Sequence, residues 1–375
     1  MTGVKFLATA DWQLGMTAHF LPAEARDRYR QARIDAIRRI GEIAAAEGAQ
    51  FVVVAGDVFE SNQLDRTVVA RALTAMGEMP VPVWLLPGNH DPLDAGSIYL
   101  SEEFERQRPG NVHVFTEPGL LEVADGVDVV AAPWFSKAPL SDLVNDAIAG
   151  VDPDATRVRI VVGHGADWTA DSGDLKSVKV ADVEAAAAAG RIDFCVLGDH
   201  HSRRQVAAHT WYPGTPEVTR HREQDPGHVL VVELGDGDPV VTTHDVGQWA
   251  FDVVEAELSS RADVDDLDAR LTALPHPERR AVKLRLTGTL SLQDKARLDL
   301  RLEHHGNLFG SIEHWDRHTD VAVLPADGEV GDLGLTGWAK DAVDELAEAG
   351  RTEGAGGQAA RDALGLLYRL SGGAA

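Results

Sequence analysis

The sequence predicts an α/β protein, and three observations predict it. Near-continuous Val/Ile/Leu runs recur along the first two thirds of the chain, among them "FVVVAGD", "VRIVVGHG" and "IDFCVLGDHH". Such runs mark strands buried on both faces. Segments with helical periodicity separate them, so helices pack outside the sheet. Near residue 246 the texture changes to shorter, more polar strand and helix patterns, which marks a second, smaller α+β unit.

Taken in order, "VKFLATAD" reads as a strand. "AEARDRYRQARIDAIRRIGEIAAAEG" reads as an amphipathic helix that stops at Gly48. "FVVVAGD" is a strand, "DRTVVARALTAMGEM" a helix and "VPVWLLPGNHD" a strand. "VDVVAAPW", "VRIVVGHG", "IDFCVLGDHH" and "HVLVVELG" follow as further strands. Residues 1–245 thus form one domain. Residues 246–325 read as strand, helix, strand, helix, strand. Residues 326–375 hold an acidic, glycine-punctuated linker with one short helix, and then "QAARDALGLLYRL", whose leucines and tyrosine favour an amphipathic helix. The sequence contains no internal repeat.

The bulk numbers bound the function. The 375 residues, 44% hydrophobic and 25% charged, fit an ordinary soluble globular protein. No apolar stretch is long enough to span a membrane, and the N-terminus lacks the basic start, apolar run and cleavage site of a signal peptide. The single cysteine, Cys195, lies inside an apolar strand and cannot form an internal disulfide. A cytoplasmic location follows from these features. The formal charge of −25 repels nucleic acid as a whole, so any nucleic-acid role must rest on a local basic surface or on bound metal. Lysine supplies seven of the 35 basic residues and arginine the rest. With the abundant alanine, this suggests a GC-rich genome or a salt-adapted proteome.

The chemistry-bearing residues gather at strand ends. "ATAD" ends in Asp11, with Gln13 two residues on. "VVVAGD" ends in Asp57. "WLLPGNHD" ends in Asn89, His90 and Asp91. "IVVGHG" carries His164, and "FCVLGDHH" ends in Asp199, His200 and His201. In an open α/β sheet, the C-terminal strand ends face one crevice where ligands bind. A lone strand-end Asp is usually a cap or turn residue. Five segments that converge with mixed carboxylate, amide and imidazole donors argue against that reading. Such a donor set suits Mn, Mg, Fe or Zn rather than a sulfur-bound structural ion. It is also large enough for two divalent ions, which together can clamp a phosphate group.

The motif order Asp, "GD", "GNHD", "GH" and a glycine followed by a histidine pair resembles the calcineurin-like metallophosphoesterase superfamily. "ADWQLG", "GDVFE", "LPGNHD", "AAPW", "WYPGTPEVT" and "GHVLVVEL" further resemble the SbcD-type DNA repair exonucleases, nuclease subunits that work with an SMC-like ATPase. The resemblance covers roughly residues 3–325. It implies a four-layer α+β sandwich, with two packed mixed β-sheets flanked by helices and a small α+β capping domain. Carried over by position, Asp11 and His201 would bind one ion, Asp57 would bridge, and Asn89 and His164 would bind the other. The ions would be Mn, or else Mg, Fe or Zn. His90 would be the catalytic histidine and Asp91 its orienting partner. Two positions depart from the pattern: Gln13 and Asp199 stand where the family usually has histidines. By register Asp199 and His201 are ligands and His200 is the spacer. Both departures put oxygen chemistry in place of imidazole, with Gln13 a weak neutral oxygen ligand to the metal or no ligand.

Arg203, Arg204, Arg220 and Arg222 flank these loops and would touch a phosphate backbone, unless nearby acids hold them. Arg26, Arg28, Arg30, Arg33, Arg38 and Arg39 read as the solvated face of the first helix. Trp12, Trp134 and Trp168 adjoin the motifs and would wall the cleft, stack on a base or pack in the core. The resemblance implies DNA and an SMC-like ATPase as partners, engaged in part through a C-terminal helix. It also implies a homodimer built on "DRTVVARALTAMGEM" and "GSIYLSEEFERQ". The expected activity is metal-dependent hydrolysis of DNA phosphodiester bonds in double-strand break repair. Two alternatives stand beside it: a small-molecule or cyclic-nucleotide phosphodiesterase, and a scaffold subunit with an eroded metal site.

Overall fold

Twelve strands in the first unit, Met1–Ala250, form two six-stranded sheets among the described residues. They are β1 (Val4–Thr9), β2 (Val52–Val54), β3 (Val83–Leu85), β4 (Val112–Val114), β5 (Gly119–Ala124), β6 (Val127–Ala131), β7 (Val158–His164), β8 (Phe194–Gly198), β9 (Arg204–Gln205), β10 (Thr210–Tyr212), β11 (His228–Leu234) and β12 (Val240–Asp245). The computed structural model describes residues 3–168, 174, 176–315, 318–324 and 336–350, and beyond these 352, 354, 356, 357, 359, 360 and 363. The start of the acidic linker, residues 326–335, and most of "QAARDALGLLYRL" lie outside the described residues.

The first sheet has the order β12-β11-β1-β2-β3-β4 and the second β5-β6-β7-β8-β10-β9. In the first, β1 to β4 run parallel and β11 joins β1 antiparallel. In the second, β6, β7, β8 and β10 are parallel. Strand alternation then sorts the side chains. Phe6, Ala8, Val53 and Ala55 face the second sheet and meet Val129, Ile160, Val162 and Phe194. Leu7, Val52 and Val54 face the other way, into a core with the long helix α1 (Ala23–Glu47) and with α2 (Arg66–Gly77). The short α3 (Glu102–Gln107) adds Phe104 to that core. On the far side, α4 (Leu143–Ala149) and α5 (Val180–Ala188) cover the second sheet. The architecture is therefore four layers: helix, sheet, sheet, helix.

The second unit, Phe251–Ala375, is built around β14 (Arg280–Ser291). β13 (Ala250–Leu258) lies on one side of it. β15 (Ser311–His314) and β16 (Asp320–Leu324) pair parallel with its successive halves. Helices α6 (Arg261–Thr272) and α7 (Leu292–Gly306) bury Leu267, Leu271 and Leu298 against this sheet. α8 (Trp338–Gly350) completes the described elements.

Six strands exceed the sequence reading: β4, β5, β9, β10, β12 and β16. Each is short or half exposed, so none shows the continuous apolar run of a strand buried on both faces. Arg33 departs in the other direction. Read as part of a solvated face, it is only 3% exposed. It donates to the Trp12 carbonyl at 2.5 Å and to the Tyr29 hydroxyl at 2.6 Å.

Phe6 is the hinge between the sheets. Its ring stacks on Phe51 of the same sheet, with centroids 5.4 Å apart, and meets Phe194 of the other edge-on at 6.2 Å. Phe6→Ala should cost about 3–5 kcal/mol in chemical denaturation, the range for truncating a buried phenylalanine. A loss under about 1 kcal/mol would show that the sheets do not depend on this contact.

Candidate metal centre

The parallel strands bring five loops to one edge. The loop after β1 and the loop after β2 zip together: Asp11 N–H donates to the Gly56 carbonyl, Gln13 N–H to that of Asp57 and Leu14 N–H to that of Val58, at 3.0, 3.0 and 2.9 Å. This pairing turns side chains sharply toward the crevice. Asp11, Gln13, Asp57 and Asp199 all take positive φ, at 54°, 48°, 52° and 91°. A non-glycine residue there costs on the order of 1 kcal/mol and persists only where the surroundings enforce it. Two glycines give the room. A Cβ on Gly88 would collide with the Asp57 carboxylate, and one on Gly198 would collide with the Ala55 carbonyl and the His164 ring.

Asp57 is 2% exposed and uses both oxygens. Oδ1 accepts the His90 N–H and Oδ2 accepts the Gln13 amide, each at 2.9 Å. His164 lies beside it, with Nε2 3.5 Å from Asp57 Oδ1 and 3.9 Å from Asp199 Oδ1. Donor atoms of Asp11, Asp57 and His164 all lie within 4.8 Å of one another. Asp11 accepts the Asp199 N–H at 3.1 Å, and Thr215 Oγ1 donates to its carbonyl at 2.8 Å.

Three histidines are held by the same atom. A carbonyl only accepts, so Nδ1 of His164 carries the proton donated to Ala55 at 2.9 Å, and Nδ1 of His90 the one donated to Glu60 at 2.9 Å. Nδ1 of His201 sits against Thr219 Oγ1 at 2.6 Å and Glu223 Oε1 at 3.0 Å. Each ring thereby keeps Nε2 for other work, which is how ligating imidazoles are fixed in one tautomer. His200 turns away and packs edge-on against Tyr212, with ring centroids 5.2 Å apart.

Asp91 does not orient the His90 ring, as the sequence reading had it. It is fully buried and accepts from Phe59 N–H, Gly88 N–H and the Tyr99 hydroxyl at 2.9, 2.8 and 2.6 Å. It braces the loop, and the Glu60 carbonyl orients the ring. Arg203 and Arg204 likewise meet acids: Arg203 clasps Asp225 at 2.6 and 2.7 Å, and Arg204 lies 3.3 Å from Asp167. Arg220 and Arg222 are exposed, and Arg220 is near enough to act on the charge of His201. Trp12 and Trp134 are core residues, the latter donating to the His164 carbonyl at 2.8 Å, whereas Trp168 is 44% exposed. Glu60, Tyr99, Thr215, Thr219 and Glu223 escaped the sequence reading as individual residues. Only the "TPEVT" segment hinted at Thr215 and Thr219.

The residues fit a divalent ion. Nε2 of His164 and Oδ1 of Asn89 face each other at 2.7 Å. With Nδ1 already protonated, this contact calls for a proton or a metal cation between Nε2 and Oδ1, or for the Asn89 amide turned to present its N–H. Burial pulls the His164 pKa down, but Asp57, Asp11 and Asp199 outweigh it and push it up to about 9. Burial also raises Asp11 to about 7, against the opposing pull of His201 and His164. A divalent ion must displace these protons. Ion affinity should therefore rise with pH, more steeply below about 7, where both groups hold protons, than between about 7 and 9, where only His164 does. Calorimetry in buffers of different ionisation enthalpy should detect the released protons. A flat affinity from about pH 6 to about pH 9 would contradict the assignment.

The sequence model for calcineurin-like phosphoesterases matches residues 4–203. No curated protein matches the chain. Similar solved structures include TT1561 of Thermus thermophilus, with TM-score 0.39, 11% identity, and 65% of this chain and 100% of that one covered. GAP50, the anchor in the inner membrane complex of Plasmodium, gives 0.41, 13%, 65% and 88%. A dimetal phosphatase from Danio rerio gives 0.37, 12%, 64% and 98%.

Proposed function

The chain belongs to the calcineurin-like phosphoesterase family, and on that premise we propose that it is a metal-dependent phosphodiesterase that hydrolyses DNA phosphodiester bonds with two divalent ions, Mn first among them. The observation that carries the reading is the buried Asp57 carboxylate, shared between Gln13 on one side and His90 and His164 on the other, with Asp11 and Asn89 at hand. Bound divalent ions supply the positive charge that offsets the negative charge of a phosphodiester in its transition state. The chain's own residues do the rest. Asp11, Asp57, Asn89, His164, Asp199 and His201 would hold the ions. His90, pinned at Nδ1 and 33% exposed, has Nε2 3.9 Å from Asp57 Oδ2, from where it would hand a proton to the leaving oxygen. Arg220 and Arg222, both exposed, would meet a phosphate backbone, and half-exposed Trp168 a base.

The nuclease part of the proposal draws on the motif order and on the "WYPGTPEVT" segment. This segment supports the centre through Thr215 and Thr219. An SMC-like ATPase and a second copy of the chain are the partners proposed with it. One observation favours the small-substrate alternative. The net charge is −25, and Arg203 and Arg204 are already paired with acids.

Manganese-loaded protein should cleave single- or double-stranded DNA and an activated phosphodiester, while leaving a phosphomonoester nearly untouched. Cleavage of cyclic nucleotides but not of DNA would select the alternative. His90→Asn should lower turnover on the order of 10²–10⁴-fold with manganese binding retained. Should the variant lose its manganese, His90 is part of the ion site and the proton-transfer role is wrong.

A further inference from the structure

We propose that the two ion positions of this centre are unequal and that Gln13 makes them so, by holding the Asp57 oxygen that the second ion needs. The inference rests on the metal-dependent reading above and concerns how the centre fills.

The two oxygens of Asp57 face different company. Oδ1 lies 3.5 Å from His164 Nε2, on the side that also holds Asn89 Oδ1. An ion there finds a carboxylate oxygen, an imidazole nitrogen and an amide oxygen already gathered, with Asp199 Oδ1 3.9 Å from the same nitrogen. The His90 N–H on Asp57 Oδ1 leaves that oxygen a further lone pair. Nothing on this side has to move apart from a proton.

The other side is different. Oδ2 accepts the Gln13 side-chain amide at 2.9 Å. The amide must present its nitrogen here, because its oxygen would lie against a carboxylate oxygen. Residue 13 therefore offers an ion near Asp11 and His201 two N–H hydrogens instead of a lone pair. It cannot simply swing away. It is 2% exposed, its backbone N–H is tied to the Asp57 carbonyl at 3.0 Å, and Leu14 next to it is paired with Phe59. Oδ2, like Oδ1, keeps a further lone pair, but an ion that uses it lies against the Gln13 N–H hydrogens, and relieving that contact means breaking a buried hydrogen bond to a charged acceptor, which is worth roughly tenfold to a hundredfold in an equilibrium constant. The position nearer His164 then fills first, and the position nearer Asp11 fills only at higher ion concentration.

The test is a manganese titration of the full-length chain, followed by the electron paramagnetic resonance signal of free manganese. The wild type should take up one ion tightly and a second with a dissociation constant roughly ten to a hundred times larger. Gln13→Leu removes the amide at similar volume and adds no donor. It should tighten the second ion about tenfold or more and leave the first unchanged. Gln13→Met serves the same purpose if the leucine variant does not fold. Two ions of equal affinity in the wild type would overturn the proposal. So would a second ion weakened by Gln13→Leu, since Gln13 would then be a ligand through its oxygen. Uptake of no ion at all would instead defeat the metal-dependent reading itself.

Discussion

The buried carboxylate of Asp57 is the contact on which the rest of the centre depends. It lies beside buried Asp11 and His164, with the more exposed Asp199 carboxylate 3.9 Å from the same imidazole, so two buried carboxylates and a third at their rim crowd one crevice. Like charges so placed repel strongly in a low dielectric, and a proton on Asp11 or a cation between the carboxylates relieves the repulsion. The neighbouring carboxylates push the His164 pKa up to about 9, which favours a protonated ring beside them. A divalent ion brings twice that charge, and the neighbouring amide and imidazole donors complete its surroundings. The centre is therefore electrostatically incomplete on its own, which is the condition for tight cation binding.

The fold enforces this crowding through the backbone. Parallel strands end at a common edge, and two sheets packed face to face bring their edges together. The loops of β1 and β2 then hydrogen-bond to each other beyond the strand ends, which holds Asp11, Gln13 and Asp57 at positive φ. The strain is compensated by the two cores on either face of the first sheet. Supporting contacts come from far along the chain. Thr215, Thr219 and Glu223 fix Asp11 and His201, and buried Arg33 of α1 grips the Trp12 carbonyl between Asp11 and Gln13.

The central strands and the segments that bear the donors were legible in the sequence, because strands buried on both faces read as apolar runs and their ends carried unusual polar residues. The edge strands β4, β5 and β12 were not, since a half-solvated strand has a mixed pattern that a loop can imitate. In "GDHH", Asp199 lies 3.9 Å from His164, His200 packs on Tyr212 and His201 rests on Thr219 and Glu223. What escaped were relations rather than residues. No pattern says that the Glu60 carbonyl, instead of the adjacent Asp91, orients His90, or that the Gln13 amide meets Asp57. Arg33 was misread for a related reason. Its helical neighbours form surface ion pairs, such as Arg28 with Glu24 and Arg39 with Glu42, and periodicity alone does not reveal that the carbonyls of another loop await this one arginine.

The most direct test of the central role of Asp57 is manganese uptake by Asp57→Asn, measured by calorimetry beside the wild type. The substitution keeps the size of the side chain and removes the charge that both ion positions share. Neither position should then bind manganese at concentrations that fill the tight site of the wild type. Uptake of even one ion at wild-type affinity would show that Asp57 is not the residue around which the centre is built.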